Sequence, residues 1–276
     1  MLSFLHRPAV RSRGLSSAFS PVFRTTPAPT YRPLVRRPLS YSWTPRTHKI
    51  NNRILKAVIG LNVGVYIYSF YTKEEARQGQ PSRYIDYFQN FTLGLDTIRE
   101  GRWWTMLTCN YAHSNLIHLG CNMFSMHFVG SLIAETPGVT PVRFLILILG
   151  SGLCGSIGYI AHQVSGVSAP GSDHRIRRGL GFSGVVTGFV AASACLWPSQ
   201  GVAVFGIIPM PLWLLAIGYV AYDGYYLDHR REGNTNVAHA GHLGGMAFGL
   251  VYYLLSLRRN RAVIWKAMKT NKSLGY

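Results

Sequence analysis

Apolar residues gather in six blocks, at positions 54–71, 116–133, 142–164, 181–197, 211–227 and 238–257. Each reaches roughly the 17–25 residues that a helix needs to cross the hydrocarbon of a bilayer. Lipid offers no water to unpaired backbone groups, so blocks of this kind are read as helices. The pattern predicts an all-α membrane protein, a bundle of six transmembrane helices with a basic tail at each end. Pro209 and Pro211 blur the start of the fifth block. The expected organisation is a basic arm over 1–50, a membrane domain over 51–258 and a basic tail over 259–276.

Composition supports that division. The chain is 48% hydrophobic and 14% charged, against about 25% charged for a soluble domain. A formal charge of +18 raises nucleic acid as a partner. The basic residues sit in the ends and loops, with no binding motif and no interleaved aromatic platform, so no nucleic-acid partner is expected. The arm contains Arg7, Arg11, Arg13, Arg24, Arg32, Arg36, Arg37, Arg46 and Lys49, and the first acidic residue of the chain is Glu74. An Arg- and Ser-rich, acid-free start without an apolar core reads as a transit peptide, not a secretory signal. A mitochondrial or plastid address fits such an arm, and the mitochondrial one is expected. Cys109, Cys121, Cys154 and Cys195 are isolated and read as small buried hydrophobes without disulfide or zinc spacing.

Parity gives the polar residues a common place. Even-numbered helices start on the side opposite the N-terminus. His118 and Asn122 begin the second, Ser183 the fourth, and His239 and His242 the sixth. All five therefore share one side and a shallow depth. His118 and Asn122, four apart, lie on one helical face. Gly184 and Gly188, and Gly241, Gly245 and Gly249, form stripes that let helix backbones approach closely. A close crossing of the fourth and sixth helices would bring His242 within reach of Ser183, as an activated serine needs.

The motifs resemble those of the rhomboid intramembrane serine proteases, of a mitochondrial type. Gly181-Phe182-Ser183-Gly184 is similar to the family's GxSG motif. The segment from Ala238 to Gly245 resembles its sixth-helix motif, the segment from His113 to Met123 its second-helix signature, and Glu135, Gly138, Arg143 and Phe144 the following connection. The resemblance implies Ser183 as nucleophile, His242 as base, and Asn122 with His118 as oxyanion-stabilising groups. It implies transmembrane protein substrates in membrane lipid, with no metal and no cofactor. One departure stands out: where the family often has Trp-Arg in the first long loop, this chain has Trp104-Thr105, with Arg102 upstream. With acidic residues scarce in the spans, none is expected beside the histidine, so a Ser-His dyad is predicted. A polar cavity lined in part by His113 and His239 would admit water. Two alternatives are an inactive rhomboid-like protein that binds transmembrane helices, and a small transporter. The missing internal repeat argues against the second.

Overall fold

The first helix, α1 (Pro45–Arg77), opens on a proline. Proline loses nothing there, because the first helical N–H has no partner inside the helix. In the computed structural model, which describes residues 45–167, 178–204, 207–228 and 238–259, α1 therefore takes in positions 45–50 that the sequence reading gave to the arm. Residues 1–44 and the tail from 260 onward lie outside the described residues.

The long first loop folds into short helices: α2 (Ser82–Phe91), α3 (Leu95–Arg99) and α4 (Thr105–Thr108), then a 3-10 turn at Cys109–Tyr111. Aromatic side chains hold it down. Tyr87 is buried, stacked on Phe91 at 5.2 Å and edge-on to Tyr68 of α1 at 6.0 Å, whereas Trp103 and Trp104 are exposed.

The remaining apolar blocks form α5 (Leu116–Ala134), α6 (Pro141–Val167), α7 (Ser183–Leu196), α8 (Leu212–Asp228) and α9 (His239–Tyr252). The last continues through a wider π turn at Tyr253–Leu257. A two-stranded antiparallel hairpin, β1 (Gly201–Val204) and β2 (Ile208–Pro211), joins α7 to α8. Among the described residues four helices are long and apolar enough to cross a membrane: Thr47–Arg77, Leu116–Ala134, Pro141–Ser165 and His239–Leu257. The fourth expected span, α7, is a shorter apolar helix of 14 residues, and the fifth, α8, has 17.

The short helix is the central one. Every α7 residue from Gly184 to Ser193 is buried, with Phe182 and Phe189 fully enclosed and Phe189 edge-on to Phe144 of α6. Helices α6, α7 and α9 meet where Gly155, Gly184 and Gly241 leave no side chain between them. A Cβ on Gly155 would lie 2.9 Å from the Gly241 carbonyl oxygen. Thr187 adds a polar tie, donating to the carbonyl of His242 at 3.0 Å. Asn51 anchors α1 by donating to the carbonyls of Ala134 and Val139 at 3.1 and 2.9 Å. Arg143 closes the connection after α5 by donating to the Gly138 carbonyl at 2.8 Å. Many other large apolar side chains are exposed, Ile67, Phe70, Ile217 and Leu255 among them.

Candidate active site

Ser183 is the first residue of α7, so its own N–H and that of Gly184 belong to the opening turn that has no helical acceptors. The turn before it depends on Gly181, whose φ of +123° is open mainly to glycine. A Cβ there would also lie 2.7 Å from the His118 ring. Asn115 caps α5 by accepting from the His118 amide at 2.8 Å, which fixes where that ring emerges.

The crossing of α7 over α9 brings Ser183 Oγ to 2.8 Å from His242 Nε2. The other ring nitrogen, Nδ1, lies 3.1 and 3.2 Å from the two carboxylate oxygens of Asp223 on α8. An ionised carboxylate only accepts, so Nδ1 carries the proton and Nε2 is left to accept from the serine hydroxyl. Asp223 is fully buried and also accepts from His239 Nδ1 at 2.7 Å. His239 in turn stacks on Tyr226 at 5.3 Å.

Asp223 overturns the expectation that no acidic group stands beside the histidine. A serine–histidine–aspartate chain is present, where a dyad was predicted. The expected six-span parity carried a signal for it, because it puts Asp223, near the end of the fifth block, on the side expected for Ser183 and His242. The rotation that turns it toward α9, away from lipid, is a tertiary property.

The oxyanion candidates are split. The His118 ring reaches the turn at Gly181, with Nδ1 3.2 Å from Ser114 Oγ. Asn122 is buried and gives one amide hydrogen to the His118 carbonyl at 3.0 Å. A small open cleft abuts Ser183 and His242, walled by Cys109, Ser156, Tyr159, Gly179 and Ala238. Burial pushes the Cys109 thiol up to about 11, so it is a neutral wall and not a rival nucleophile.

His113 and His239 do not line this cleft. His239 is committed to Asp223. His113 is buried, and its Nε2 accepts from the Phe182 amide at 3.5 Å. Burial, then the neighbouring His118, lower its pKa to about 4. Neutral His113 thus holds the residue just before Ser183. No cluster of His, Cys, Asp and Glu among the described residues is arranged to hold a metal ion.

Residues 100–259 match the rhomboid domain. The chain belongs to the rhomboid family. Among its relatives is RHOMBOID-like protein 12, mitochondrial, of Arabidopsis thaliana, 31% identical over 169 residues, covering 59% of this chain and 49% of the relative. Another is Presenilin-associated rhomboid-like protein, mitochondrial, of Bos taurus, 27% identical over 175 residues, covering 60% and 43%. The matched stretch thus spans about half the length of either relative. Ser183, His242, Asp223, His118 and Asn122 all lie inside the rhomboid match. So does Arg102, while the first 18 residues of the long loop's helical part, from Ser82, precede it.

Proposed function

We propose that this rhomboid-family chain is an intramembrane serine endopeptidase that cleaves transmembrane segments of other membrane proteins. The observation that carries the reading is the 2.8 Å contact between Ser183 Oγ and His242 Nε2, backed by Asp223. His242 takes the hydroxyl proton as Ser183 attacks the scissile carbonyl, and Asp223 steadies the imidazolium that forms. The proton then passes to the leaving amine, and water entering by the adjoining cleft releases the acyl group. Charge on the tetrahedral oxygen meets the α7 N-terminal amides, His118 and Asn122. Each effective donor lowers the barrier by about 2.7–4 kcal/mol.

The same reading takes α7 and α8 as spans, giving six. Fourteen residues at about 1.5 Å each make α7 about 21 Å long, short of the ~30 Å hydrocarbon. A central helix shielded from lipid tolerates that shortfall, and its serine end sits below the membrane surface. The basic, acid-free arm and the mitochondrial names of both relatives support a multi-pass place in the mitochondrial inner membrane. Its partners are then transmembrane substrates and lipid.

The rival is an inactive rhomboid-like protein that binds transmembrane helices without cutting them. Purified protein in liposomes, given a reporter transmembrane segment, separates the two. Cleavage that disappears in Ser183→Ala and His242→Ala with the fold intact supports the protease. Absence of both cleavage and phosphonate labelling at Ser183 in the unaltered protein supports the binder.

A further inference from the structure

The residues leading into Ser183 are suspended from the long first loop. Arg178 pairs with the Asp96 carboxylate, donates to Thr92 Oγ1 at 3.3 Å, and lies over the Phe88 ring at 5.2 Å. Gly179 exchanges both backbone hydrogen bonds with Leu93, at 2.7 and 2.8 Å. The Gly181 amide donates to the Cys109 carbonyl at 2.9 Å. These ties run from Arg178, Gly179 and Gly181 to the loop, and the nucleophile follows two residues after the last of them.

We infer that the Arg178–Asp96 pair is a latch that positions the nucleophile turn, in a chain where Thr105 and not an arginine follows Trp104. Thr105 is fully buried and spends its hydroxyl on the Arg102 carbonyl at 2.7 Å. It braces the loop internally and reaches nothing on the nucleophile segment. Arg178 supplies the cross-loop tie from the opposite partner. Its planar fork suits contact with the carboxylate, the hydroxyl and the aromatic face together, which an ammonium could not match. The backbone leaves room for it: a Cβ on Gly94 would fall 2.5 Å from Asp96 Oδ1 and 2.9 Å from Arg178 Cδ. Arg178 touches no reacting atom in this arrangement. It acts through Gly179 and Gly181, setting where Ser183 and its amide meet a substrate carbonyl.

The inference rests on the protease reading, and the test keeps the two apart. Full-length protein in liposomes is assayed for reporter cleavage and for the rate of phosphonate labelling at Ser183. Arg178→Met and Asp96→Asn each lower kcat and the labelling rate at least tenfold while KM stays within twofold. Thermal unfolding is read on the same preparations, because the Arg178 side chain is only 12% exposed and loss of either partner also costs stability. Gly94→Ala gives the same loss without changing a charge, and Arg178→Lys falls between Arg178→Met and the unaltered protein. Arg178→Met rates within twofold of the unaltered protein overturn the latch, as does a loss seen only where the protein unfolds. If the unaltered protein neither cleaves nor labels, the protease reading fails by itself. Hydrogen exchange at the Gly179 and Gly181 amides then decides the latch: faster exchange in Arg178→Met supports it, and unchanged exchange refutes it.

Discussion

Replacing Asp223 with asparagine tests the third member of the hydrogen-bonded chain at nearly constant volume. The carboxylate lies 3.1 Å from His242 Nδ1, so during reaction it faces a newly formed imidazolium. Unit charges about 4 Å apart at an effective dielectric of about 20 interact by about 4 kcal/mol. The same oxygen already serves His239 at 2.7 Å, which weakens its bond to His242 and sets a lower bound near 2 kcal/mol. At 1.36 kcal/mol per factor of ten, the expected fall in kcat is roughly 30- to 1,000-fold. A second effect acts in the same direction. An asparagine amide turned toward Nδ1 donates to it, moves the ring proton to Nε2, and leaves nothing there to accept from Ser183. The assay is reporter cleavage in liposomes, with phosphonate labelling and thermal unfolding measured on the same preparations. KM changes little, since Asp223 is buried behind the histidine. A folded Asp223→Asn protein cleaving within threefold of the unaltered rate would refute the argument and return the site to a dyad.

Other outcomes follow from the same contacts. Gly245→Ala places a methyl against the Gly184 carbonyl; it should destabilise by roughly 1–3 kcal/mol and lower cleavage, read by thermal unfolding and reporter turnover. Asn51→Leu strands the Ala134 and Val139 carbonyls and should cost about 1–3 kcal/mol, visible in unfolding with Ser183 labelling per folded molecule unchanged. His113 is held neutral in the fold with a pKa of about 4 against 6.5 when unfolded. Its stabilising contribution is complete above about pH 6.5 and is lost as pH falls toward 4, on the order of 3 kcal/mol in all. Melting curves between pH 7.5 and 4 should show that loss, and His113→Gln should flatten it.

The local pattern carried much of this protein. Lipid demands that each spanning segment satisfy its own backbone, so apolar blocks of the right length had to be helices; the block starts at 116, 181 and 238 fall within two residues of the observed helix starts at Leu116, Ser183 and His239. Glycine spacing on α7 and α9 announced a close crossing, and parity put Ser183 and His242 at one level. The first helix started earlier than expected because Pro45 is a starter there and not a breaker. Helix rotation and loop docking were not legible. Asp223 reads as one acid in an apolar stretch until α8 is turned against α9. Arg178 reads as one of three loop arginines until it meets Asp96, 82 residues away in sequence. Asn122 carries a motif's address, yet its amide is partly claimed by its own helix. Periodicity and backbone satisfaction are local and can be read along the chain. Which face meets which, and what charge finds a partner there, depends on contacts between distant segments, and only the tertiary structure decided them.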